Sequence, residues 1–146
     1  MSDRQFHLKI ITPTEVKFDE QVNMVIMRCI DGAMGIMPNH MPLSTALDYG
    51  ITRIINKDGE RRIAIFGGIA EVRDNKLTIL TNEASWPEEI DLSQAQIERQ
   101  TASESLKLQT DSVDVQRSQV LLRRSLVAIE VSSYTLVNQP KTGVKK

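Results

Sequence analysis

The residues able to do chemistry are few, and most of them crowd into one stretch, the thirteen residues from Asp31 to Leu43. There Gly32, Gly35, Pro38 and Pro42 surround Ile36 and Met37, with His40 near the end. Glycine permits positive φ and proline fixes φ while removing a backbone donor, so this segment is expected to turn sharply and hold one shape, anchored through Ile36 and Met37. A rigid exposed loop is a docking surface first. His40 fits either of two roles, a hydrogen-bonder that stabilises the turn or a pH-sensitive contact with a partner. Met24, Met27, Met34, Met37 and Met41 offer thioethers, which favour Cu(I), yet their irregular spacing suits core and interface packing better. The other histidine, His7, is expected to face solvent on an alternating strand. Cys29 is the single cysteine, which excludes an internal disulfide and a cysteine zinc site; it reads as a small core residue in a reducing compartment. Arg117, Arg123 and Arg124 lie in a stretch, Val115 to Ile129, that contains no acid. They form either an ordinary solvated helix face or a seat for acidic residues of a partner. No Gly-rich phosphate loop, helical histidine pair or nucleophile elbow is present, so nothing points to an enzyme or a resident metal.

Two grammars position these residues. From Phe6 to about Thr81 short β-rich runs alternate: Phe6–Ile10, Val22–Met27, Ile51–Ile55, Arg62–Phe66 and Lys76–Leu80. Asp31-Gly32, Asp58-Gly59 and Asp74-Asn75 between them tolerate the left-handed backbone of tight hairpins. With no helix long enough for parallel crossovers, these strands predict an antiparallel β-sandwich or flattened barrel. Gly67-Gly68 marks a bulge or a close approach of two backbones. After Glu83 the period lengthens. Pro87 sets a boundary, Asp91 is a good N-cap with Gln94 placed to complete a capping box, and a helix is expected over 92–108. Gln109 to Ser112 reads as a turn, followed by a second, antiparallel helix to about Val131. Leu92, Ala95, Ala102 and Leu106 share one face of the first helix, and the two alanines invite close approach. On the second, Val115, Leu122, Leu126 and Ile129 form one apolar stripe and Val120, Val127 and Val131 another, so one of them must be covered outside the hairpin. The expected organisation is a β domain over 1–86, a helical hairpin over 87–137 and a flexible tail over 138–146.

Bulk numbers agree with a partner chosen by shape. Eighteen basic against nineteen acidic residues leave no whole-chain field for nucleic acid or a charged membrane. The longest apolar run, Ile63 to Ala70, is far below the roughly 20 residues a spanning helix needs. The opening residues resemble neither a signal peptide nor a transit peptide, so a cytosolic or stroma-like start is expected.

The stretch Gly32 to Pro42 resembles, position for position, the Gly-x-x-Gly-Ile-x-Pro-x-His-x-Pro loop of the epsilon subunit of F-type ATP synthases. Phe66-Gly67-Gly68-Ile69-Ala70-Glu71-Val72 is similar to that family's Ser-Gly-Gly-x-x-Glu-Val strand, and Asn75 to Leu80 to its next one. The likeness runs to about Tyr134. It implies a noncatalytic rotor subunit of the central stalk: a β-sandwich that binds the gamma subunit and the ring of membrane c subunits, and a helix pair that restrains ATP hydrolysis when extended into the catalytic alpha/beta head. Membrane association would then come only through the complex, on the cytoplasmic face of a bacterial plasma membrane or the stromal face of a thylakoid. Carried over by position, Gly32, Met34, Gly35, Ile36, Pro38, His40 and Pro42 would make the ring and gamma contact. The acidic residue some relatives carry in this loop corresponds to Ala33, with Asp31 nearby. Arg117, Arg123 and Arg124, with Val120 and Val127, would make the regulatory contacts. Some relatives bind ATP through Ile/Leu-Asp-x-x-Arg-Ala; here Ile90, Asp91, Gln94 and Ala95 occupy the pattern, and Gln94 brings no charge for phosphate, so weak or absent ATP binding is expected and no cofactor. The competing reading is a stand-alone β-sandwich that binds a ligand and dimerises through its helices.

Overall fold

Alternation of apolar and polar residues decides the β region. In β1 (Phe6–Ile11), Phe6, Leu8 and Ile10 point inward while His7, Lys9 and Ile11 point outward, as a period of two requires. The computed structural model describes residues 4–108 and 112–138, with side chains over 4–108 and 115–133. Seven further strands follow: β2 (Val16–Val22), β3 (Met24–Cys29), β4 (Gly32–Ile36), β5 (Leu43–Asn56), β6 (Gly59–Arg73), β7 (Lys76–Leu80) and β8 (Ala84–Ser85). Their order is β2-β1-β7-β6-β5-β3-β4, with β8 on β6, and the sheet folds into a sandwich without closing. Leu8, Ile10, Val25, Met27, Ile36, Ile54, Ile63, Leu77 and Ile79 fill its interior.

The expected β-sandwich is found, with three changes of detail and one choice between two expected readings, at Gly67-Gly68, settled. The β1–β7 pair is parallel. It needs no crossover helix because the antiparallel strands between them carry the chain round. The run 22–27 is two strands, broken at buried Asn23, whose amide donates to Arg4 O (2.9 Å) and whose carbonyl accepts from Lys57 N (3.2 Å). These bonds hold the chain where it leaves β2 at one edge of the strand order for β3 near the other. The runs 51–55 and 62–66 are the centres of strands fourteen and fifteen residues long. Gly67-Gly68 is a close approach: β6 keeps one register against β5 on both sides of it, while a Cβ on Gly68 would lie 2.2 Å from Leu80 O.

The second compact unit starts at Trp86. A single 3₁₀ turn, Pro87–Glu89, precedes α1 (Leu92–Leu108) and α2 (Ser112–Asn138). Asp91 Oδ1 accepts from Gln94 N at 3.1 Å, the expected N-cap, while the Gln94 side chain reaches forward to Glu98 instead of completing a box. Of the predicted turn Gln109–Ser112 and the tail 138–146, residues 109–111 and 139–146 lie outside the described residues, while Ser112 and Asn138 are the two ends of α2. The second helix outruns its expected end at Val131 by seven residues.

The hairpin seam differs from the expectation. On α1 the buried residues are Ala95 and Ala102; on α2 the buried residues include Ser118, Ser125 and Ser132, seven apart, with Ala128 and Val131. On a wheel of about 100° per residue this serine line runs between the two apolar stripes. Small side chains line both helices, and Ser125 Oγ settles its hydroxyl on Leu122 O at 2.9 Å. Leu126 and Val120 stay exposed.

Candidate functional site

The segment that reads as one docking loop is a strand with a turn at each end. Ile30 and Asp31 form the tip of the β3–β4 hairpin, closed by the pairing of Cys29 with Gly32, where φ is +121°. From Gly32 to Ile36 the chain is β4, paired with β3. Five residues at about 3.4 Å each separate the two turns by roughly 17 Å. Gly35 does not use positive φ; it is small because Met24 Cε comes within 3.2 Å of where its Cβ would be. Ile36 is wholly buried and anchors the strand, so it offers a partner nothing, whereas Met37, expected to share that role, is 58% exposed.

The second turn runs over 37–42. His40 N donates to Met37 O (3.2 Å), with Pro38 and left-handed Asn39 (φ +62°) between them, the pattern of a type II turn. His40 Nδ1 donates to Met41 O at 2.7 Å, so this half-buried residue stabilises the turn. Met41 is 74% exposed, so two thioethers flank the turn. Met27 is in the core opposite Met34 on β4, so the five methionines are divided between interior and surface. Cys29 is buried, and burial pushes its thiol pKa up.

The outer face of the sheet holds what sequence reasoning missed. Across β2, β1, β7 and β6 the register sets Val16 beside Ile11, Ile11 beside Leu80 and Leu80 beside Ile69. Val16, Leu80 and Ile69 are 49%, 50% and 53% exposed. Ile69 pairs with Ala46 on β5, and Ala46 O accepts from Ile30 N at 3.2 Å, so the row continues to the exposed Ile30 at the hairpin tip. Beside it lies a concavity of about 420 Å³ whose walls include Pro13, Gly68 and Thr81. Exposed apolar residues aligned over five strands are unusual on a free surface. Alternation within Lys9–Ile11, Lys76–Leu80 and Ile69–Arg73 was the available signal, but each strand shows one such residue, and only pairing adds them up.

Further along the same face the residues become polar. His7 Nε2 donates to Asp19 Oδ1, Gln21 Nε2 donates to His7 Nδ1 (3.1 Å), and the imidazole bond holds the Asp19 carboxyl below its usual range. His7 therefore faces outward as expected, though held by two neighbours.

On the hairpin the three arginines separate. Arg124 Nη1 pairs with Glu98 Oε2 across the seam at 3.2 Å, while Arg117 and Arg123 are exposed. Asp91 of the degenerate nucleotide pattern is occupied as a helix cap, Ala95 is buried, and Ile90 ends the 3₁₀ turn. No helix among the described residues is long and apolar enough to cross a membrane.

Residues 5–87 match the beta-sandwich domain family of the ATP synthase delta/epsilon chain. The chain is similar to the ATP synthase epsilon chain of Caldicellulosiruptor bescii, 37% identical over 129 residues that cover 88% of this chain and 93% of the relative. Against that of Pelotomaculum thermopropionicum identity is 41%, covering 75% and 82%; against the chloroplastic epsilon chain of Citrus sinensis it is 33%, covering 86% and 95%. Among solved structures it resembles a chain of the Euglena gracilis mitochondrial ATP synthase, solved as OSCP/F1/c-ring, with TM-score 0.77 at 25% identity, covering 88% and 81%. A chain of the Tetrahymena thermophila central stalk/c-ring assembly shares the fold, with TM-score 0.64 at 12% identity, covering 90% and 99%.

Proposed function

The chain belongs to the epsilon-chain family of F-type ATP synthases, as a noncatalytic subunit of the central stalk, and we propose that its exposed apolar row seats it on the gamma shaft. Membership in that family sets aside the stand-alone ligand-binding module. The observation that carries the reading is the alignment of Val16, Ile11, Leu80 and Ile69 across adjacent strands, next to a concavity able to take a partner side chain. Burying a half-exposed leucine or isoleucine contributes about 1 kcal/mol or more, so a row of four supplies a stiff joint without a bond to make or break. The two turns that bound β4 complete the rotor contact: Ile30 to Gly32 continues the row, and Pro38, His40 and Pro42 stand at the other end with Met37 and Met41 as adaptable apolar contacts. Ion-driven rotation of the c-ring then reaches the catalytic head through this wedge, on the cytoplasmic face of the membrane and bound to it through the complex alone.

The helical unit supports a second part of the reading, restraint of hydrolysis. Its seam is made of small residues, which leaves Val120, Leu126 and Ile97 outside for a different neighbour. Arg117 and Arg123 lie on the exposed surface, where acidic loops of the catalytic subunits can reach them, and Arg124 joins them by exchanging Glu98 for such a loop. ATP binding at Ile90, Asp91, Gln94 and Ala95 is weak or absent, because Gln94 lacks a charge and Asp91 is committed to the helix cap. Replacing Ile69 and Leu80 together by serine tests the docking face. Affinity for purified gamma should fall at least about tenfold, as loss of roughly 1.4 kcal/mol or more requires, with the melting temperature nearly unchanged. Undiminished binding would remove the row from the interface.

A further inference from the structure

Asn75 occupies the β6–β7 turn with left-handed backbone, φ +59°, a conformation asparagine tolerates better than other residues bearing a side chain. The same residue also does something a turn does not require. Its Nδ2 donates to Gln5 O at 3.0 Å, its backbone O accepts from His7 N at 3.2 Å, and its Oδ1 accepts from Asn39 N at 2.7 Å. One carboxamide thus joins the entry to β1, seventy residues away in sequence, to the left-handed apex of the 37–42 turn, thirty-six residues away. The Asn39 amide it holds belongs to the residue whose positive φ lets the chain reverse between Met37 and His40. Glycine would serve the Asn75 backbone equally well, so the side chain is what ties the three segments together.

We propose that Asn75 is a positioning residue for the rotor contact: its carboxamide fixes the stance of the Met37–Pro42 turn against the sandwich, so that exposed Met37 and Met41, with half-buried His40 between them, meet the rotor already ordered. This rests on the reading of that turn as a contact. Ordering before binding lowers the entropic cost of docking, and a joint that carries torque gains from a turn with no freedom to swing.

The full-length chain and two variants decide the matter. Asn75→Gly keeps the left-handed backbone and removes both side-chain bonds; Asn75→Asp keeps the acceptor for Asn39 N and removes the donor to Gln5 O. Amide hydrogen exchange should show Asn39 at least about fivefold less protected in Asn75→Gly, the factor that loss of one net hydrogen bond implies, and protected in Asn75→Asp. Unchanged protection in Asn75→Gly would overturn the latch. Affinity for stalk and c-ring assemblies depleted of this subunit is then measured for Asn75→Gly beside a Met37→Ser/Met41→Ser double variant. Loss of affinity in both supports the proposal. Loss only in the methionine variant overturns the positioning role while the turn remains a contact, and no loss in the methionine variant overturns the contact reading itself.

Discussion

Glu60 lies between two guanidinium groups that would otherwise repel. Arg53 and Arg62 are cross-strand partners on β5 and β6, a like-charged pair that destabilises a sheet when left alone. Arg53 grips the carboxylate twice, Nε and Nη2 each at 2.8 Å, and Arg62 Nε donates at 2.6 Å. The Arg53 hydrogen bond first, then Arg62, lower the Glu60 pKa from 4.5 to about 2 against the opposing effect of burial. Because the folded pKa lies below the unfolded one, the contribution is complete above about pH 4.5 and disappears as the pH falls toward 2. Glu60→Gln should cost about 1–2 kcal/mol at neutral pH, screening by partial exposure included. Urea unfolding at pH 7 and pH 3 checks this: the gap between wild type and variant should shrink at the lower pH. A gap that is constant with pH would refute the assignment. The glutamate is visible in the sequence, but its two partners are not distinguishable there from the nearby Arg61, which sits instead 5.9 Å over the Phe18 ring.

At the scale of elements, what was legible and what was not divides by range. β7, α1 and the three hairpin turns stand where their residues predict, since Asp74-Asn75 (φ +52° and +59°), Gly59 (φ +138°) and the Asp91 cap act on their immediate neighbours. β2 and the full reach of β5 and β6 escaped. Val16–Val22 has one buried residue between its ends and reads as polar, and it is a strand because β1 pairs with it. The serine seam escaped because a periodic reading counts serine as polar, whereas a buried helix serine can meet its hydrogen bond within its own turn, as Ser125 does on Leu122 O. Gly68 carries the element-scale prediction. With φ +127° and Leu80 O 2.2 Å from the position of a Cβ, Gly68→Ala should destabilise the sandwich by roughly 3 kcal/mol or more. Thermal unfolding followed by sheet circular dichroism measures it, and a loss below about 1 kcal/mol would mean that the strands part at little cost.

Taken whole, the chain is two units with two kinds of surface: a sandwich with an apolar row on its outer face, and a hairpin that leaves Ile97, Val120 and Leu126 exposed. If the hairpin restrains hydrolysis through its basic side chains, neutralising Arg117, Arg123 and Arg124 to glutamine should raise the ATPase rate of the assembled enzyme by at least about threefold, given about 0.2 kcal/mol or more for each of three rim charges. Unaltered activity would dismiss the charges as regulatory contacts. Arg124→Gln alone also breaks the bridge to Glu98, so its effect on helix content separates hairpin stability from inhibition.

By itself the sequence determined the change of period near Glu83, the strand and helix character on either side, the turn residues and the small alanine face of α1, because each depends on residues within a few positions of one another. Three motifs in register carried the family as well. Tertiary structure alone decided that Gly32 to Pro42 is a strand between two turns, that Ile36 is buried while Met37 is not, that four separate strands align their apolar residues, and that Asn75 reaches Asn39. Those are consequences of pairing between segments distant in the chain. Hydrophobic burial selects such a register over the whole sheet at once, so no local window contains the information.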